Sequence, residues 1–76
     1  MVLDIKIADR GSAEKLNKIA SETDEVLWVH ADSDRIMVDA RSLLGLYALI
    51  GMDCKLVAED NADPKVLVKV AKKAGV

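Results

Sequence analysis

The stretch from Ser42 to Gly51 constrains this chain more than any other. Seven of the eight residues between them are apolar, Ser42 can cap a helix with its side-chain oxygen, and Gly51 can close one in a left-handed conformation. The pattern predicts a helix from Leu43 to Ile50, about two turns at the usual rise per residue. On steps of 100°, Gly45, Leu46, Leu49 and Ile50 share one arc, while Leu43, Leu44, Tyr47 and Ala48 share the other. Both arcs are apolar, whereas a surface helix needs only one to reach the core. Either this helix is buried all round or its second arc is offered to a partner.

A chain of 76 residues holds a single domain, residues 1–76, close to the smallest size at which a core holds without a metal or disulfides. Its one cysteine, Cys54, leaves no internal disulfide, and no apolar run is long enough to span a bilayer. With no signal peptide in view, the expectation is a cytoplasmic protein that does not engage membranes. A net charge of -2 argues against nonspecific nucleic-acid binding, which needs a basic excess. Lys65, Lys69, Lys72 and Lys73 do cluster near the C-terminus, but cations are favoured there by the helix dipole alone.

Val2 to Ile7 alternate, with Leu3, Ile5 and Ile7 on one side and Asp4 and Lys6 on the other, which predicts a half-buried strand. Asp9-Arg10-Gly11 breaks it, and Ser12 then caps a helix from Ala13 to about Glu22 with Ala13, Leu16, Ile19 and Ala20 as its apolar stripe. Residues 26–31 and 35–39 predict two more strands, joined by the polar turn Asp32-Ser33-Asp34. Residues 54–59 predict a fourth. Asp63-Pro64 is a strong helix start, since Asp caps free amides and Pro fits the first helical position. That last helix runs to about Ala74, buries Leu67, Val70, Ala71 and Ala74, and stops at Gly75.

The order β-α-β-β-α-β-α calls for an α+β fold in which an antiparallel sheet carries all its helices on one face. The covered face is expected to bury Leu3, Ile5, Ile7, Leu27, Val29, Ile36, Val38, Cys54 and Leu56. If Leu27 and Val29 point to the helices, alternation sends Val26, Trp28 and His30 to the open face with Met37 and Val57, an apolar surface suited to a homodimer. A register one residue away would bury Trp28 instead. Local pattern by itself does not separate this architecture from a ferredoxin-like sheet with a helix appended.

Arg41-Ser42-Leu43-Leu44-Gly45-Leu46 resembles the Lys/Arg-Ser-Ile/Leu-x-Gly-x motif of HPr, the phosphocarrier of the bacterial sugar phosphotransferase system. The resemblance extends more weakly over nearly the whole chain. It implies an open-faced sandwich with four strands in the order 1-4-2-3 and three helices on one face. It also implies that Leu43, Leu44 and Tyr47 form an exposed partner-binding arc for phosphotransferase-system proteins or a regulator, and that Ser42 is a candidate for regulatory phosphorylation by a dedicated kinase. Ser42 is explained equally by plain helix capping.

Phosphocarriers of this family place Gly-Leu-His-Ala-Arg-Pro between the first strand and the first helix. There a ring nitrogen attacks phosphorus, helix amides hold the phosphoryl oxygens and the arginine balances their charge. The equivalent stretch here is Asp9-Arg10-Gly11-Ser12-Ala13-Glu14. Gly11 and Ser12 match the family's glycine and proline, and the intervening Leu-His-Ala-Arg is deleted. Arg10 lies on the wrong side of Gly11, and Glu14 would repel a phosphoryl group. The only histidine, His30, sits in the second strand with no amide cradle beside it. After Gly51, Met52-Asp53 also bridges to the last strand more briefly than the family's turn does.

The expected function is therefore regulatory or protein-docking, without enzymatic activity, catalytic residues, metal or cofactor. A working phosphocarrier and a small structural or oligomerising domain unrelated to sugar uptake are the alternatives.

Overall fold

The computed structural model describes residues 1–76. Its elements are β1 (Val2–Lys6), α1 (Arg10–Glu22), β2 (Leu27–Ala31), β3 (Ile36–Asp39), α2 (Leu43–Tyr47), β4 (Asp53–Ala58) and α3 (Pro64–Ala74). The four strands form one sheet in the order β1-β4-β2-β3, antiparallel throughout. Three helices cover one face of it. The expected α+β sandwich and its strand order are both present.

Alternation along the strands sets the two faces. Ile5, Leu27, Val29, Ala31, Cys54, Leu56 and Ala58 are buried beneath the helices, and Ile7, Leu16, Leu46, Leu49, Leu67 and Val70 complete the same core cluster. Leu3, Ile36 and Val38 are only half-buried, contrary to the expectation that they lie fully inside. They stand on β1 and β3, the two edge strands, where the helices overhang less. Burial of Leu27 and Val29 turns Trp28 to the open face, 38% exposed. The alternative register is thereby excluded.

Two helix boundaries differ from those the sequence suggests. The first helix begins at Arg10 rather than Ala13, because Asp9 and not Ser12 is its cap: the Asp9 carboxylate accepts from the Ser12 N–H at 2.8 Å. Both residue types cap well, and the earlier one wins by reaching the amide three residues on. The short helix ends at Tyr47, not Ile50. Beyond it Leu49, Ile50 and Met52 donate to the carbonyls of Leu46, Tyr47 and Leu49, the i to i+3 spacing of tight turns. Gly51 then adopts φ +84° and donates to the Ile7 carbonyl at 2.8 Å, which ties the segment to the end of β1.

The third helix follows expectation. Asp63 caps it through the Lys65 N–H at 2.9 Å, and Gly75 closes it at φ +72°. Between β2 and β3 the chain turns through Asp32, Ser33 and Asp34, all left-handed with φ between +51° and +66°. Such a run is unfavourable for residues bearing a Cβ, although Asp tolerates it better than most. The strands also begin or end within a residue or two of the expected positions.

Candidate functional site

The packing of α2 against β3 decides which of its arcs faces out. A Cβ added to Gly45 would stand 3.0 Å from the Val38 Cβ, so only a residue without one lets the two backbones approach this closely. Leu46 and Leu49 are consequently fully buried. Leu43 and Tyr47 remain half-buried, and Leu44 is 82% exposed. Ser42 is exposed, and its hydroxyl oxygen accepts from the Gly45 N–H at 3.3 Å as the helix cap.

Tyr47 does not stand alone on this surface. Its hydroxyl donates to Glu14 Oε1 at 3.0 Å, and the Arg10 guanidinium lies 5.4 Å from the centre of its ring. A cation over an exposed aromatic face contributes about 0.5–1 kcal/mol, and the hydrogen bond to a charged acceptor adds to it. The first turns of α1 and the outer arc of α2 are thus joined by side chains, and Leu44 projects beside the joint. Sequence reasoning identified Leu43, Leu44 and Tyr47 but missed Arg10 and Glu14 as their neighbours. No local signal was available, since Glu14 and Tyr47 are 33 positions apart.

The amino end of α1 is occupied by the chain itself. Hydrogen bonding from Ser12, first its backbone N–H and then its side chain, holds the Asp9 carboxyl below its ordinary range, and attraction to Lys15 acts in the same direction. No histidine is near in sequence. His30 lies half-buried on β2, pointing to the open face of the sheet, where its Nδ1 is 3.3 Å from Asp34 Oδ1. The structure therefore places His30 in the sheet layer, while Tyr47, Glu14 and Arg10 lie in the helix layer.

Val26, Trp28, Met37 and Val57, the other residues singled out from sequence, stand on that open face with His30, Val26 at the mouth of β2 and the others within the strands. Met37 is 62% exposed. Cys54 is a core residue: its thiol donates to the Met52 carbonyl at 3.3 Å, and burial, assisted by the negative charge of Asp53, pushes its pKa up and suppresses the reactive thiolate. No helix is long and apolar enough to cross a membrane.

No protein-family model matches the chain, and no curated protein sequence does so either. Solved structures do. HPr-C-His from Thermoanaerobacter tengcongensis is similar with a TM-score of 0.72 at 23% identity, covering all of this chain and 97% of that one. A phosphocarrier protein HPr from Bacillus anthracis is similar with a TM-score of 0.72 at 15% identity, covering 96% of this chain and 94% of that one. Over its whole length, then, this chain has the fold of the HPr phosphocarriers.

Proposed function

We propose that this chain acts as a single HPr-like docking domain, related to the phosphocarriers of the bacterial sugar phosphotransferase system but unable to carry phosphate on histidine. The observation that carries this reading is the amino end of α1, where the Asp9 carboxylate already accepts from the Ser12 N–H. In a phosphocarrier that position needs a nucleophilic ring nitrogen, free amides and a counter-charge. Here one of the helix's first amides, that of Ser12, is taken by the cap, and a phosphoryl group would meet the like charges of Asp9 and Glu14. His30, on the open face, has no helix amides to receive one; its neighbours there are Lys55, directly across on β4, and the acidic Asp34.

What remains of a carrier's interaction surface is the outer arc of α2. Leu43, Leu44 and Tyr47 supply the large side chains that carry most of the energy in an interface, and the contacts from Arg10 and Glu14 fix Tyr47 in advance. The partner is a phosphotransferase-system component or a regulator. A phosphate on Ser42 would add roughly -1.5 to -2 charge at the rim of this arc and repel an acidic partner. Because α2 has only five residues, that effect works through local repulsion more than through a helix dipole.

Incubation with the phosphotransferase system's phosphoenolpyruvate-dependent kinase and labelled phosphoenolpyruvate tests the reading. The chain should stay unlabelled in a mixture that labels a histidine-bearing phosphocarrier. Acid-labile label on His30 would overturn it.

A further inference from the structure

The open face of the sheet is not organised like an ordinary solvated surface. Strand register puts Val2, Val57 and Trp28 directly side by side across β1, β4 and β2. Met37 lies one step along β3 from this row, beside His30, and Val26 extends the row's edge at the mouth of β2. Trp28, His30, Met37, Val57, Ala58 and Glu59 line a shallow recess of about 350 Å³ here. Val2, Val26, Trp28 and Met37 are all exposed. A contiguous band of this kind is uncommon on a monomer.

Two of the charges flanking the band are placed in a self-complementary way. Lys55 on β4 and Glu59 just past its end stand two residues to either side of Val57; alternation puts Lys55 on the face of Val57, and Glu59 lines the same recess as Val57. Both are exposed, and neither forms an ion pair within the chain, although Asp4 stands opposite Lys55 across β1 and β4. Rotation of a second copy by 180° about an axis lying along the row Val2-Val57-Trp28 exchanges the two sides of the row. Lys55 of each copy then meets Glu59 of the other. The same operation lays each apolar residue of the row over its own counterpart and keeps the strands of the two sheets aligned, as twisted sheets prefer when they pack face to face. Asp39, opposite Trp28 at the β3 end of the row, also falls beside its own counterpart, a like-charge contact at the margin that the apolar centre and the Lys55–Glu59 pairs must outweigh.

We infer that this face is a two-fold interface between two copies of this chain, with Trp28 and Val57 at its centre and reciprocal Lys55–Glu59 pairs at its edges. The available area suits that occupant. A standard interface takes about 800 Å² per partner, roughly one sixth of the 4666 Å² surface of the molecule. On a two-layer body measuring 28 × 24 × 17 Å the open face is one of the two broad sides. The inference does not depend on the docking role given to α2, which lies in the other layer.

Sedimentation of the full chain across a concentration series tests it, together with the emission of Trp28, the only tryptophan. The wild type should show a concentration-dependent dimer, with Trp28 emission shifting to the blue as it forms. Trp28→Glu should weaken association at least ~30-fold, the scale of a central interface tryptophan. Lys55→Glu and Glu59→Lys should each weaken it by about 10-fold, and combining them should restore it to within about 3-fold of the wild type, because the reversed pairs still match. All four variants change exposed positions or a partly exposed one, and circular dichroism verifies that each is folded. A wild type that stays monomeric at millimolar concentration, or a dimer indifferent to the single charge reversals, would overturn the inference.

Discussion

The two arcs of α2 are nearly identical in composition and opposite in surroundings. Leu46 on the inner arc has no exposed surface, and Leu44, two residues earlier, is 82% exposed. The inner arc is held by the core and by the close approach of Gly45 to Val38. The outer arc is held by polar side chains from another helix, through Arg10 and Glu14 on Tyr47. Apolar character alone therefore does not say which leucine is core. That is decided by which arc the sheet can reach, and the arc left over is fixed in place without being buried.

This contrast is broken most severely by truncating the inner arc. Leu46→Ala should cost about 2–5 kcal/mol, the range for deleting a fully buried leucine, out of a total of roughly 4–11 kcal/mol for a chain of this length at typical per-residue stability. Thermal unfolding would show a drop of more than about 8 °C. Gly45→Ala follows at about 1–3 kcal/mol, because the new methyl meets a Cβ, an atom that side-chain rotation leaves where it is. An unchanged melting temperature in Gly45→Ala would mean that α2 can lift from β3 at no cost.

The sheet was the most legible part of the sequence. Period-two patterning located the strands to within a residue or two, and Asp63-Pro64 located the start of α3. The start of α1 was less legible because Asp9 and Ser12 are both good caps, and only the three-dimensional reach of the Asp9 carboxylate distinguishes them. The length of α2 was overestimated for a related reason: a run that is apolar on every side carries no mark of where helix gives way to tight turns. At the candidate site, helical spacing groups Leu43, Leu44 and Tyr47 on one arc, and the resemblance to HPr implies that this arc is the exposed one. Arg10 and Glu14 could not, since their contact with Tyr47 exists only once the chain has folded.

A titration sharpens the comparison on the outer side, where Asp9 caps the helix that carries Arg10 and Glu14. The Asp9 pKa is lowered from its ordinary value of 3.8 by Ser12. A carboxyl whose pKa is depressed by folding stabilises the native state above its unfolded pKa, and that contribution fades as pH falls through the folded value. Wild type should therefore lose melting temperature between neutral pH and the acid side of 3.8 more than Asp9→Asn does. Identical losses in the two proteins would show that the cap is not coupled to stability.

The smallest effect on stability, and the most informative one, belongs to Leu44→Ala. An 82% exposed side chain leaves no cavity when shortened, so the melting temperature should move by no more than a surface substitution typically does, about 0.5 kcal/mol in either direction. Tyr47→Ala should cost more, since it also releases Arg10 and Glu14, and this ordering distinguishes a projecting anchor from a tethered one. Under the docking reading, both substitutions weaken binding of a phosphotransferase-system partner while the fold is retained. Should Leu44→Ala instead lose as much stability as Leu46→Ala, both arcs of α2 would be core, the contrast between them would vanish, and the proposed partner surface would have nothing left to present.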